Sequence, residues 1–149
     1  MDKRVLVVDD HAPTVNLIRD ALETAGLSVL AARNGAECLL AVDRERPDLL
    51  ILDVMMPVLD GLQTLRVLRG RPETADLPVI VLSGRDDFQD FRDLCRNGAD
   101  LYLTKPIRIG AVVAAAKWLL EMCGQQVADD AQTVRGQELS EAAVGSTVS

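Results

Sequence analysis

Apolar residues in this chain fall into short unbroken runs, separated by longer stretches in which they recur at helical spacing. Val5-Leu6-Val7-Val8, Leu49-Leu50-Ile51-Leu52 and Val79-Ile80-Val81-Leu82 are continuously apolar, the pattern of parallel strands covered on both faces. Leu101-Tyr102-Leu103 is a fourth such run, and residues 28–32 form a weaker fifth. Pro13 suits a first helical turn, Val15, Ile18, Leu22 and Ala25 repeat on one face, and Gly26 ends that helix. Asn34 with Glu37 three residues on reads as a capping box, and the helix it opens must stop by Pro47. Asp60 with Gln63, and Asp86 with Gln89, repeat that signature ahead of a third and a fourth helix. Leu62, Leu65 and Leu68 mark the inner face of the third, and Phe88, Phe91, Leu94 and Cys95 that of the fourth. A fifth helix runs from Ile109 to Cys123 with Val112, Ala116, Leu119 and Leu120 inward. Five βα units predict an α/β fold, a five-stranded doubly wound parallel sheet with right-handed crossovers and strand order 2-1-3-4-5.

The chain has 149 residues, 48% of them hydrophobic, enough for one domain with a true core. That domain is expected over residues 1–124. Residues 125–149 carry four acids, one arginine and no aromatic, and are expected to form a polar acidic tail, disordered or partly helical. Aromatics at 3% suit layered α/β packing better than a β-sandwich. A net charge of −7 without any basic cluster argues against a nucleic-acid surface. No apolar run approaches the roughly 18 residues of a membrane span, and the N-terminus does not read as a signal peptide, so a cytoplasmic location is expected. Cys38, Cys95 and Cys123 are far apart and in no CxxC spacing, which fits reduced thiols and not a zinc site.

Function is expected where the strands end, since doubly wound sheets place their sites at the carboxyl edge near the point where strand order reverses. The first strand runs into Asp9-Asp10, the third into Asp53, the fourth into Ser83 and the last into Thr104-Lys105-Pro106. With the first and third strands adjacent, Asp9, Asp10 and Asp53 converge on one crevice, flanked by Ser83 and Lys105. Two like charges about 4 Å apart cost about 4 kcal/mol at an effective dielectric near 20, so three carboxylates call for a raised pKa or a cation. All-oxygen ligands without histidine or thiolate select a hard ion, magnesium first. Lys105 adds a compact positive charge for a phosphoryl oxygen and Ser83 a hydroxyl donor, which together are the parts of a phosphoryl-transfer site.

Val8-Asp9-Asp10, Leu52-Asp53-Val54-Met55-Met56-Pro57 with Asp60-Gly61, Leu82-Ser83-Gly84, and Gly98-Ala99-Asp100-Leu101-Tyr102-Leu103-Thr104-Lys105-Pro106 resemble the receiver domains of bacterial two-component response regulators, in the right order over residues 3–123. The resemblance implies that Asp53 is the phosphoacceptor, loaded by a histidine kinase or phosphotransfer protein. It implies that Asp10 and Asp53 bind magnesium directly with the main-chain carbonyl of Met55, while Asp9 acts through a bound water. It further implies that Lys105 pairs with the phosphoryl group, that Ser83 hydrogen-bonds it after transfer, and that Tyr102 turns inward when Ser83 moves. The surface of the fourth helix, fifth strand and fifth helix would then change for an unidentified downstream protein. Pro106 matches a proline that follows a cis peptide bond. Such a protein catalyses only its own phosphorylation and dephosphorylation and is a switch more than an enzyme.

Blander roles stand beside these. Asp9 and Ser83 could cap helices, Tyr102 could fill core, Gly61 could serve a tight turn and Pro57 a rigid loop. His11, the only histidine, reads as solvated loop. Ile107 stands where the family most often has Phe. Arg85 and Met55 occupy positions at which the family varies to set phosphoryl lifetime. Rival functions on the same fold are a flavin binder, a cobalamin binder and a pseudo-receiver that binds partners without phosphorylation. Flavin phosphate would meet the carboxylates of Asp9-Asp10-His11-Ala12-Pro13 instead of a glycine-rich loop. A cobalamin signature would need Gly where Thr14 stands. With no room for a helix-turn-helix after Gly124, a single-domain regulator or phosphorelay intermediate is expected.

Overall fold

Successive side chains of a strand point to opposite faces of its sheet, and in this protein both faces receive apolar groups. The computed structural model describes residues 3–54, 61–83 and 98–124. In chain order these form β1 (Arg4–Val8), α1 (Ala12–Thr24), β2 (Ser28–Ala32), α2 (Gly35–Glu45), β3 (Leu49–Asp53), α3 (Gly61–Arg69), β4 (Val79–Ser83), β5 (Leu101–Thr104) and α4 (Ile109–Gly124). The five strands make one parallel sheet in the order β2-β1-β3-β4-β5, the architecture that the apolar runs predict. The expected helix with Phe88, Phe91, Leu94 and Cys95, its cap at Asp86, the cap at Asp60, and Met55, Pro57, Arg85 and residues 125–149 lie outside the described residues.

One face of the sheet presents Val5, Val7, Leu49, Ile51, Ile80 and Leu82 to Val15, Ile18 and Leu22 of α1 and to Val112, Ala116 and Leu119 of α4. The other presents Leu6, Val8, Leu50, Leu52, Val79 and Val81 to Cys38 and Val42 of α2 and to Leu65 and Leu68 of α3. Two-sided burial is why β1, β3 and β4 show no alternation in sequence. Each leucine or isoleucine so buried stabilises the fold by about 1.5–3 kcal/mol. On α3, Leu62 is only half-buried, and Thr64 is fully buried in its stead. Ala25, expected on the inner face of α1, is instead its half-buried C-cap. Gly26 follows at φ +93°, the left-handed region that glycine occupies without steric cost.

Asn34 caps α2 by accepting the Glu37 N–H at 2.9 Å. The return bond of the expected capping box is displaced by one residue, because the Glu37 carboxylate accepts the Arg33 N–H at 3.0 Å. α2 ends on Arg46 at φ 48°, directly ahead of Pro47.

At the sheet edge opposite the acidic strand ends, an arginine from α3 holds two loops. Its guanidinium donates to the carbonyls of Gly98, Thr74 and Ala75 and pairs with the Asp100 carboxylate at 3.1 Å. Asp100 also accepts the Val79 N–H at 2.8 Å. Arg69 thereby ties the end of α3 to the starts of β4 and β5, with both charged side chains largely shielded from water. Arg69→Met keeps the stem and removes every one of these donors. It is expected to lower the free energy of unfolding in urea by roughly 2–3 kcal/mol, less than a fully buried pair would lose because some solvent remains.

Cys38 lies fully buried beneath α2, and that burial pushes its thiol up to about 12 from the ordinary 9.0. Because the folded value is raised, the contribution of this neutral thiol to stability is intact below 9.0 and is lost as pH rises toward about 12. Native protein treated with iodoacetamide at pH 8 is expected to leave Cys38 unmodified in a peptide map, and guanidinium-unfolded protein to modify it fully.

Candidate functional site

The register of the sheet brings the acidic strand ends together. Val8 of β1 pairs with Leu52 of β3, so the next residues, Asp9 and Asp53, stand side by side at the carboxyl edge. Leu82 of β4 pairs with Asp53, and Ser83 with Thr104 of β5, which brings Lys105 to the same edge. Asp9, Asp53 and Lys105 also share the alternation of Val7, Ile51 and Leu103, residues of the face that packs on α1 and α4. Three strand registers and one parity suffice to aim three charged side chains at one point.

Asp9 is 1% exposed and Asp53 2%, while Asp10 is exposed at the mouth. Carboxylate oxygens of all three lie within 4.8 Å of one another. The Lys105 ammonium stands 3.3 Å from Asp53 Oδ2 and 3.6 Å from Asp9 Oδ2. Among the described residues one positive charge therefore faces three carboxylates. Among the described residues Asp9 Oδ2 is buried with no hydrogen-bond donor, the Lys105 ammonium meeting it only as an ion pair at 3.6 Å, and a buried anionic oxygen in that condition is costly. An all-oxygen donor set with excess negative charge and an orphaned buried oxygen fits a hard divalent cation.

The surrounding backbone holds these groups in place. Asp9 Oδ1 accepts the His11 N–H at 3.0 Å, and the Asp9 N–H donates to the Ala32 carbonyl of β2. His11 is more than the solvated loop residue its position suggests. It is the N-cap residue of α1, and its exposed ring places Nδ1 2.7 Å from Thr14 Oγ1. Gly61 opens α3 at the end of β3, where its N–H donates to the Val54 carbonyl. A Cβ there would lie 2.5 Å from the Asp53 carbonyl oxygen and 2.8 Å from Val54 Cα. The glycine is thus required by close approach to the Asp53 backbone, and the turn expected ahead of it falls in residues 55–60, outside the described residues.

Ser83 is buried, and its carbonyl accepts the Lys105 N–H at 2.6 Å. Its alternation matches Val81, which pairs directly with Tyr102. Ser83 and Tyr102 therefore occupy neighbouring strands on the α2–α3 side of the sheet, where Tyr102 packs against the apolar cluster. The Lys105–Pro106 peptide bond is cis, as expected. Met55 and Pro57 lie outside the described residues. Sequence reasoning missed the His11 N–H and the close approach at Gly61. The placement of His11 between an acidic pair and a proline at a helix start was the available signal for the first.

Comparison with known proteins agrees with this geometry. The family described as response regulator receiver domain matches residues 5–117. The response regulator MprA of Mycobacterium tuberculosis is 39% identical over 140 residues, covering 94% of this chain and 60% of MprA. The chain thus spans about three-fifths of the length of that relative. Among solved structures, the receiver domain of the Francisella response regulator 1452 is 32% identical with a TM-score of 0.75, covering 80% of this chain and 98% of its own. The chemotaxis response regulator CheY4 of Vibrio cholerae is 25% identical with a TM-score of 0.75, covering 80% and 99%. No helix among the described residues is long and apolar enough to cross a membrane. With its sheet order, its acidic strand ends and its facing lysine, this chain belongs to the response regulator receiver domains of two-component signalling.

Proposed function

We propose that the chain accepts a phosphoryl group on Asp53 from the phosphohistidine of a histidine kinase or phosphotransfer protein, and passes the change to a downstream protein. The observation that carries this reading is the Lys105 ammonium 3.3 Å from the Asp53 carboxylate, inside a cluster of three acids. Asp10 and Asp53 would hold magnesium directly with the main-chain carbonyl of Met55, and Asp9 through a water. Bound magnesium would supply charge neutralisation for the carboxylates and the phosphoryl oxygens.

An Asp53 carboxylate oxygen attacks phosphorus, the P–N bond to the donor histidine breaks, and its electron pair returns to the imidazole. Lys105 lies against the transferred oxygens as a point charge. Ser83 donates its hydroxyl to them afterwards, and Tyr102 repacks against the α2–α3 face as Ser83 moves. The group adds about −1.5 to −2 charge to the crevice. Moving a 1:99 population of conformers to 99:1 would take about 5.5 kcal/mol of differential stabilisation, which favours active conformers that exist before phosphorylation. A pseudo-receiver ordinarily lacks part of the acid–lysine set, whereas Asp9, Asp10, Asp53, Ser83 and Lys105 are all present here.

Protein mixed with magnesium and acetyl phosphate is expected to gain the mass of one phosphoryl group, and Asp53→Asn to gain none. An adduct that persists on Asp53→Asn moves the acceptor elsewhere. Lack of any adduct on wild type, even with its cognate kinase, returns the pseudo-receiver. In metal-free buffer Asp53→Asn is expected to be more stable than wild type by about 1 kcal/mol, since it removes two like-charge contacts for one attractive pair. Urea unfolding with chelator present measures this.

A further inference from the structure

Tyr102 has two directions in which to turn. Among the described residues β5 is the last strand on its side of the sheet, so the ring can lie off that edge or fold inward over β4. It is half-buried, on the side of the sheet that faces α2 and α3. Successive residues of a strand alternate between faces, so Thr104 stands on the same face as Tyr102, one step nearer the acidic edge. The register sets two β4 residues opposite them: Val81 pairs with Tyr102, and Ser83 with Thr104. Tyr102 and Ser83 are thus the diagonal of a four-residue patch, a separation that an aromatic side chain spans. The Lys105 N–H, bonded to the Ser83 carbonyl at 2.6 Å, pins the two strands together at the Ser83–Thr104 end.

An inward ring needs room on this patch. Val81 is fully buried in the apolar cluster and has none to give. In the proposed reading the room opens where the Ser83 hydroxyl leaves, and Thr104 borders it directly. Thr104 is half-buried, and a β-branched side chain keeps to few χ1 angles, so it does not swing aside readily. We propose that Thr104 is a positioning residue for the switch: the branched bulk of its side chain, at the corner beside Ser83, limits the inward conformer of Tyr102. This rests on the reading in which Asp53 is the acceptor and Tyr102 responds to Ser83. Crowding in a packed contact is relieved when a methyl group is cut away, whereas a swap that conserves volume is tolerated. The two conformers differ in their contact with Thr104, so a change there shifts their populations.

Tyr102 is the one tyrosine of the chain, so fluorotyrosine labels this ring alone. The test records fluorine NMR spectra of the full chain before and after phosphorylation by phosphoramidate with magnesium, using saturation transfer to read the minor position. It compares wild type with Thr104→Ser, Thr104→Ala, Thr104→Val and Thr104→Ile. Before phosphorylation the inward-to-outward ratio is expected to rise about threefold in the Ser and Ala variants, which lose the γ-methyl, against about fourfold for a fully buried methyl-sized group. The Val variant, which keeps the branched volume, is expected to match wild type. The Ile variant is expected to lower the ratio after phosphorylation. A ratio unchanged or lowered in the Ser and Ala variants overturns the proposal. A rise in the Val and Ala variants with the Ser variant at the wild-type ratio assigns the effect to the hydroxyl and overturns it as well. Wild type that gains the mass of a phosphoryl group while its Tyr102 signal stays in place leaves Asp53 as acceptor and removes the tyrosine response, and this proposal with it. If phosphoramidate adds no mass to wild type, the acceptor assignment and the role of Thr104 fall together.

Discussion

Like charges resist being gathered, and this fold gathers three carboxylates at the meeting of β1 and β3 with, among the described residues, a single ammonium to face them. Much of the local architecture holds that arrangement. The β1–β3 register sets Asp9 beside Asp53, the His11 N–H fixes one oxygen of Asp9, and α3 presses against the Asp53 backbone through a residue without a side chain. Apolar burial on both faces of the sheet supplies the stability that offsets the repulsion. A site that strains its own fold at one edge gains from any cation that binds there, which makes the crevice responsive to its contents.

The sheet was legible because its strands are buried on both sides. Continuous runs such as Leu49-Leu50-Ile51-Leu52 are hard to place elsewhere, and the strand ends then follow by counting. Asp9, Asp53 and Lys105 could be brought together from sequence since the first two directly follow such a run and the third stands one residue further on. Periodicity was silent on Arg69. It lies 29 residues from Gly98 and 31 from Asp100, and most of its partners are carbonyls, which every residue carries. Gly61 was visible as a glycine, but the reason for it depends on how closely α3 approaches β3. The Asn34 cap was read correctly, yet the Glu37 carboxylate turned to the Arg33 N–H, a one-residue choice that spacing cannot decide.

The same strand ends connect the crevice to the opposite face of the sheet. Lys105 faces Asp53 through its side chain and Ser83 through its backbone N–H. Ser83 and Tyr102 share the other face. In the proposed reading, a charge added at Asp53 acts on a residue whose main chain is bonded to the serine strand. This gives a short physical route from the acidic edge to the packing of Tyr102, without any larger movement of the sheet.

The central claim is that the three acids form a divalent-cation site at the carboxyl edge of β1 and β3. Paramagnetic broadening by substoichiometric Mn²⁺ tests it most directly, read in amide NMR signals of the full chain. The account predicts loss of the His11, Val54 and Lys105 signals, their recovery with excess Mg²⁺, and little effect at Asp43 and Asp48. Broadening centred on those distant acids, or spread evenly over the acidic surface, would contradict it.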